Sequence, residues 1–157
     1  MEEIIEKVKN DLKQILSERR YEHSIGVMNM AGELAKIYNA DVENAKLAGL
    51  LHDNAKEMNK EEMLEYVKEN NIKITEFERL NVKILHGKIG ADIAKKKYGV
   101  SEQIAKAIEY HTTTSPEMDI LAKIIYVSDK VEVTRKSEKF DIEPERKLAK
   151  IDLDKAL

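Results

Sequence analysis

The chain has 157 residues, a formal net charge of −3 and no cysteine, and this length suits one domain with a sizeable core. The lack of cysteine excludes disulfides and thiolate metal sites, which leaves nitrogen and oxygen as protein ligands. The slightly acidic balance argues against nucleic acid as a partner, because nucleic-acid binders usually carry a basic patch.

The sequence predicts neither a membrane span nor an export signal. The longest apolar runs, such as 48–51 and 124–127, are far shorter than the roughly 20 residues that cross a bilayer. Residues 1–6 are acidic and amphipathic, whereas a signal peptide begins with positive charge and a continuous apolar stretch. We therefore expect a cytoplasmic protein with no membrane partner.

Two prolines and six glycines in the whole chain favour long helices. In the first third, apolar residues at helical spacing predict helices over 2–17 and 20–38. A turn at 39–41 precedes a helix over 42–51 that is apolar almost all round and is therefore expected to be buried. Asp41 is a candidate N-cap for it.

The rest of the chain continues the helical pattern. A four-residue alternation at 72–75 is the main strand signal, and it is weak. The predicted elements are, in chain order, helices over 60–70, 75–84, 86–98, 101–111 (with Ser101 as N-cap) and 117–136, a loop at 112–116, and a last helix with Pro144 in its first turn. The predicted fold class is all-α, with one domain over 1–157.

Residues of types that can bind metals lie next to apolar helical sequence. The histidines of the chain are His23, His52, His86 and His111. Singly, a histidine on an apolar helix face is more often a satisfied core or capping residue than a ligand. However, His52 and Asp53 end the most apolar helix, and Asp129 lies within the apolar stretch 120–129. Aspartate is almost never buried unless it is paired or bound to metal.

Metal binding is one explanation for the whole set. Imidazole and carboxylate together suit iron, manganese, zinc or nickel. Six such ligands exceed the three or four of one open catalytic site, and they predict two metals that share a carboxylate. Asp53 is the natural bridge, because its neighbour His52 serves one metal while its second oxygen can reach the other. The alternative is a set of separately satisfied core polar residues.

The motifs resemble those of the HD-domain superfamily. The segments that carry the resemblance are Arg20-Tyr-Glu-His23, Leu50-Leu-His52-Asp53-Asn-Ala-Lys56, His86-Gly-Lys-Ile-Gly-Ala91, His111-Thr-Thr113 and Val127-Ser-Asp129-Lys-Val-Glu132. The match covers about 18–136 and implies an HD-domain helical bundle. The Ala-Lys after His-Asp, the His-Gly-x-x-Gly-Ala element and Arg135 are closest to the YqeK-type hydrolases, which cleave diadenosine tetraphosphate symmetrically to two ADP.

The resemblance also implies roles for individual residues. Two divalent transition metals, with iron favoured, would bind. One would be held by His23, His52, Asp53 and Asp129, and the other by Asp53, His86 and His111. A solvent oxygen between the metals would be the nucleophile, and Lys56 would assist beside Asp53. The residues expected to contact the nucleotide are Arg20, Gly87, Lys88, Thr112, Thr113 and Arg135.

These substrate contacts have structural alternatives. Lys56 could be a solvated lysine, and Arg20 or Arg135 could pair with a nearby acid. Gly87 and Lys88 start a predicted helix whose free N–H groups could bind an anion, but the glycine could equally serve a turn. Two residues depart from the family pattern: Thr114 replaces an expected glycine, and Ser128 replaces the usual alanine.

The function expected is metal-dependent hydrolysis of dinucleoside polyphosphates. The alternatives are another HD-type nucleotide phosphohydrolase, acting on nucleoside mono- or triphosphates, and a non-catalytic metal-binding module. Residues 54–57 replace the Glu-Asp element of guanosine alarmone hydrolases, and the Gly-Tyr-Pro element of cyclic dinucleotide phosphodiesterases is absent. The amphipathic helices leave room for a homodimer.

Overall fold

Helices make up the regular structure of the protein, for which a computed structural model describes residues 1–132 and 142–157. The helices are α1 (Glu2–Ile15), α2 (Glu18–Ile37), α3 (Val42–Leu51), α4 (Lys60–Glu69), α5 (Glu76–Leu80), α6 (His86–Tyr98), α7 (Glu102–Tyr110), α8 (Ile120–Val131), α9 (Glu143–Ile151) and α10 (Leu153–Ala156), with a 3-10 turn at Val82–Leu85. No strand occurs in these two ranges. The all-α fold class is confirmed.

Side-chain caps determine where most helices begin. The residues whose side chains accept a backbone N–H of the first turn include Ser17, Asp41, Asn59, Thr75, Ser101 and Asp119. Asp41 and Ser101 are the two caps predicted from sequence. Asp119 explains why α8 begins at Ile120 and not at 117, because its carboxylate accepts the N–H of Ala122 at 2.9 Å.

The helix predicted over 75–84 is divided in two. Helix α5 ends at Leu80, and Asn81 leaves the helical conformation with φ −127° and ψ 62°. The Asn81 side chain donates to the carbonyl of Phe77 at 2.9 Å, a local bond that competes with helix continuation. The 3-10 turn that follows runs directly into α6. The short α10 was not predicted, and the end of the predicted helix 117–136 lies outside the described ranges.

Helix α3 is at the centre of the core, as its apolar sequence predicts. It packs against α2, α7 and α8, and Leu50 and Leu51 are fully buried. A Cβ on Gly49 would lie 3.0 Å from the carbonyl oxygen of Val27, so glycine is needed for the close approach of α3 to α2. A smaller apolar cluster, comprising Ala55, Met63, Val67, Leu85 and Ile89, lies beside α4 and the start of α6.

Arg146 of α9 holds the end of α8. Its Nε donates to the carbonyl of Val131 at 2.6 Å and its guanidinium to the carbonyl of Glu132 at 3.0 Å. The last carbonyls of a helix have no partner within the helix. The C-terminal helices therefore stabilise the turn of α8 that carries Asp129.

Among the helices of residues 1–132 and 142–157, we find none with the length and apolar character needed to cross a membrane. The cytoplasmic location and the domain bounds expected from the sequence stay predictions.

A stability prediction follows from the burial of α3. Leu50→Ala is expected to lower the free energy of unfolding by about 2–5 kcal/mol, because it removes buried methyl groups and leaves a cavity. The matched control is Leu80→Ala, since Leu80 is 75% exposed and such a change usually stays within about 0.5 kcal/mol. Urea unfolding followed by circular dichroism would measure both, and equal effects would contradict the burial of Leu50 in the core.

Candidate metal centre

Six side chains from five parts of the chain converge around Asp53. Two groups are close enough for their ligand atoms to hold a cation, with all ligand atoms of a group within 4.8 Å of one another. The first group is His23, His52, Asp53 and Asp129, and the second is Asp53, His86 and His111. The structure thus brings together all six predicted ligands and places Asp53 in both groups.

The first group lies between α2, the end of α3 and the last turn of α8. His23 Nε2 is 2.8 Å from Asp129 Oδ1, and His52 Nε2 is 3.3 Å from the same oxygen. Asp53 contributes Oδ2, which is 3.2 Å from His52 Nε2 and 3.7 Å from His23 Nε2. Two imidazole nitrogens therefore face two carboxylates.

The second group uses the other oxygen of Asp53. Asp53 Oδ1 is 3.2 Å from His111 Nε2 and 3.4 Å from His86 Nε2. The two Nε2 atoms are themselves 3.0 Å apart. Because each oxygen of Asp53 faces a different pair of imidazoles, this one carboxylate is placed to bridge two cations.

Helix ends orient three of the imidazoles. His52 and His111 follow the last residues of α3 and α7, and His86 follows the 3-10 turn. Their Nδ1 atoms lie 2.7, 2.5 and 2.7 Å from the carbonyls of Gly49, Ile108 and Lys83, respectively. A carbonyl can only accept, so each Nδ1 carries the hydrogen, and in a neutral ring the lone pair is on Nε2.

The electrostatics of the centre favour a positive charge. Burial alone would raise the pKa of Asp53, but the imidazoles around it hold that pKa well below its ordinary value. The pKa of Asp129 is also lowered, because hydrogen bonds from His23 and His52 outweigh its burial. Burial alone would lower the pKa of His52, but the two carboxylates raise it to about 10. Both aspartates are therefore ionised at neutral pH, as metal binding requires.

The residues present fit a metal. His52 Nε2 is buried, with carboxylate oxygens of Asp53 and Asp129 at 3.2 and 3.3 Å. In the second group, the Nε2 atoms of His86 and His111 lie 3.0 Å apart and 3.4 and 3.2 Å from Asp53 Oδ1, a convergence that needs a cation or a shared proton. Nitrogen and oxygen donors in this mixture suit divalent transition metals. A buried His/Asp cluster compatible with divalent metal binding is therefore present.

Three residues around the ligands were not assigned a role from sequence. Glu132 is fully buried, and its Oε2 lies 2.6 Å from His23 Nδ1. Asn54 donates to the carbonyls of Leu51 and Gly90, at 2.9 and 3.0 Å, and so joins the turn after α3 to α6. Arg146 caps α8. The apolar context of Glu132, directly after Val131, was a signal of its burial.

The predicted substrate residues have varied surroundings. Arg20 lies at the centre, where it donates to Asp53 Oδ2 at 3.0 Å with its side chain 26% exposed. Lys56 is half-buried on the turn that follows Asp53. The ammonium of Lys88 contacts other groups than the metal ligands, because it donates to Glu78 at 2.9 Å and to the Lys73 carbonyl at 3.1 Å.

Gly87 also has a structural use. A Cβ there would lie 2.6 Å from Thr112 Oγ1 and 2.7 Å from the Glu109 carbonyl, so glycine lets α6 approach the end of α7. The 3-10 turn continues into α6, so Gly87 and Lys88 lie in the first turn of that helix. Thr113 is exposed, and Arg135 lies outside the described residues. The substrate roles of all these residues stay predictions.

The sequence that forms this buried histidine–aspartate centre matches a family model. Residues 20–134 match the model described as "HD domain", and the chain belongs to this family. The resemblance inferred from the motifs is confirmed.

Several known proteins are similar to this chain over most of its length. The symmetrical bis(5'-nucleosyl)-tetraphosphatase of Bacillus subtilis is 40% identical over 147 residues, which cover 93% of this chain and 77% of the relative. The enzyme of that name from Staphylococcus aureus is 36% identical over 83% of this chain and 68% of its own length. The crystal structure of a predicted HD superfamily hydrolase involved in NAD metabolism, from Clostridium acetobutylicum, is 41% identical with a TM-score of 0.91 and covers 96% and 79% of the two chains.

A prediction about protons follows from the raised pKa of His52. A cation that binds at Nε2 must displace the proton which the neighbouring carboxylates hold there, so metal binding at neutral pH should release protons and strengthen with pH. Calorimetric titrations with manganese in two buffers of different ionisation enthalpy would count these protons. An affinity that is unchanged between about pH 6 and about pH 8 would contradict the expected competition.

Proposed function

We propose that this protein is a metal-dependent hydrolase that converts diadenosine tetraphosphate to two ADP. The observation that carries the proposal is that the two carboxylate oxygens of Asp53 face different imidazoles. Oδ1 lies 3.2 Å from His111 Nε2, and Oδ2 lies 3.2 Å from His52 Nε2. The names of the Bacillus and Staphylococcus relatives support the substrate. Residues 1–157 would act as one HD domain.

The proposed centre holds two divalent transition metals. His23, His52 and Asp129 would ligate one, His86 and His111 would ligate the other, and Asp53 would bridge them. Two such cations supply Lewis acidity and a water of lowered pKa, which gives a nucleophile at neutral pH. Iron is the favoured metal, and the same donors would accept manganese, zinc or nickel.

The chain's own residues bind and orient the phosphates in this proposal. The side chains of Arg20 and Asp129 are 26% and 20% exposed, whereas that of His52 is fully buried. Substrate would therefore approach between the start of α2 and the end of α8. The planar guanidinium of Arg20 would donate paired hydrogen bonds to phosphate oxygens. The ammonium of Lys56, on the turn after Asp53, would add a positive charge.

Which phosphorus is attacked depends on which part of the substrate the protein binds. If Arg20 and Lys56 hold one nucleoside diphosphate unit, its outer phosphorus lies over the centre. A water oxygen would form a bond to that phosphorus while the bond to the next bridging oxygen breaks. The second ADP would leave, and the protons of the water would pass to solvent. A long polyphosphate also presents more anionic oxygens to the centre than a monophosphate does. A homodimer is compatible with this arrangement.

The bridging role of Asp53 is tested by substitution. Asp53→Asn is expected to lower kcat by more than about 100-fold while the helical circular dichroism spectrum is retained, since the amide is nearly isosteric but a poor bridge. Lys56→Ala should lose less, because it removes only electrostatic stabilisation. Steady-state phosphate-bond cleavage would compare the two variants. A near-normal rate in Asp53→Asn would exclude the bridged centre.

The symmetrical cleavage is tested by the products. Iron-loaded protein given diadenosine tetraphosphate should produce two ADP, and AMP should react slowly or not at all. In heavy-oxygen water, one label should appear on the terminal phosphate of one ADP. Chromatography with mass spectrometry would measure both. ATP plus AMP would place the attack at another phosphorus, and hydrolysis of nucleoside mono- or triphosphates alone would favour the other phosphohydrolase alternative.

A further inference from the structure

The histidines of the centre differ in the group that lies next to Nδ1, the ring nitrogen on the side away from the other ligands. His52, His86 and His111 direct Nδ1 to neutral backbone carbonyls. His23 instead directs Nδ1 to the carboxylate of Glu132, at 2.6 Å. A carboxylate behind a ligating imidazole fixes the orientation of the ring and makes it a more basic ligand than a carbonyl does.

Helix α2 makes room for this carboxylate. Gly26 lies in the interior of α2, where glycine is less favourable than every other residue except proline. A Cβ at this position would lie 2.8 Å from Glu132 Oε1 and 2.9 Å from its carboxyl carbon. Glycine at this position is therefore explained by Glu132, and not by a turn or an unusual backbone angle.

The backbone of Glu132 is held as well. Its N–H donates to the Ser128 carbonyl at 3.0 Å, and its carbonyl accepts from Arg146 at 3.0 Å. Its side chain is fully buried, and burying a carboxylate is unfavourable unless it is paired or hydrogen-bonded. Three elements, α2, α8 and α9, thus converge to keep one acidic side chain behind His23.

The two ligand groups consequently differ in negative charge. The first group contains the carboxylates of Asp53 and Asp129, with Glu132 behind it. The second group contains one carboxylate, the shared Asp53, and its imidazoles are supported by neutral carbonyls. Arg20 donates to Asp53 Oδ2 at 3.0 Å and offsets one negative charge of the first group. The first group still retains one more carboxylate charge than the second, so it attracts cations more strongly, because these charges are close together and largely buried.

We propose that Glu132 is a positioning residue for His23, and that it makes the group of His23, His52, Asp53 and Asp129 the higher-affinity of two unequal metal sites. The metals would then bind in order, first at this group and afterwards at His86 and His111. The inference rests on the metal centre of the proposed function. It adds two points to that function. Glu132 acts without contacting the metal or the substrate, and the two metals bind in a fixed order.

Zinc affinity of the full chain tests the assignment. The protein is stripped of metal and titrated with Zn²⁺ against a chromophoric chelator. The unsubstituted chain should show a tight and a weaker site, and His86→Gln should keep the tight one. In that background, Glu132→Gln is expected to weaken zinc binding about 10–100-fold. Asp11→Asn is the matched control, because it neutralises a carboxylate that accepts from Tyr98 at 2.7 Å and not from a histidine of the centre; it should leave zinc affinity unchanged.

Two further readouts separate positioning from a loss of fold. Excess Zn²⁺ should restore kcat of Glu132→Gln, with KM for the nucleotide close to that of the unsubstituted chain, since Glu132 does not contact the substrate. Gly26→Ala retains every ligand and Glu132 but places a methyl group against the carboxylate. It should weaken zinc binding in the same direction, and it decides the question if Glu132→Gln does not fold.

Unchanged zinc affinity in both Glu132→Gln and Gly26→Ala would overturn the inference, as would two equal sites in the unsubstituted chain. A chain that binds no Zn²⁺ at all would overturn the metal centre and this inference with it. Because the readout is metal affinity, a failure to hydrolyse diadenosine tetraphosphate would count against the proposed substrate and not against the role of Glu132.

Discussion

The buried carboxylate of Asp53 is the group around which the other elements of the centre are arranged. It lies at the centre of the bundle with its side chain 4% exposed, where an ionised carboxylate is unfavourable without positive partners. Imidazoles on both of its oxygens and Arg20 at one edge meet this requirement. Since these partners come from α2, α3, α6 and α7, the helices must pack closely enough to bring them within about 4 Å of one carboxylate.

Helix ends provide the means of placing those partners. A helix leaves its last carbonyls without internal partners, and His52 and His111 use such carbonyls to fix their rings. The same hydrogen bonds direct the Nε2 atoms inwards. The same hydrogen bond therefore satisfies a carbonyl at a helix end and orients the imidazole of a candidate metal ligand. Loss of such a helix end would disturb both the packing and the centre.

The support behind the centre is not uniform. Neutral carbonyls lie behind three imidazoles, whereas the carboxylate of Glu132 lies behind His23. The difference depends on the close approach at Gly26 and on the cap that Arg146 supplies to α8. Helix α9 follows every predicted ligand in the chain, yet it acts on the centre through two backbone carbonyls. Its contribution is thus to geometry, and it supplies no ligand of its own.

The sequence by itself determined the helical class, most helix bounds and the six candidate ligands. Periodicity and side-chain caps are local, and aspartate within apolar sequence indicates pairing or metal wherever the chain folds. Only the tertiary structure decided which oxygen of Asp53 faces which imidazole, that Lys88 pairs with Glu78 and that Glu132 supports His23. These contacts join residues as many as 109 positions apart, and no local pattern encodes such a pairing. The break at Asn81 was missed because the helical periodicity of 75–84 continues across it, and neither the departure of its backbone from helical angles nor its side-chain bond to Phe77 is visible in that periodicity.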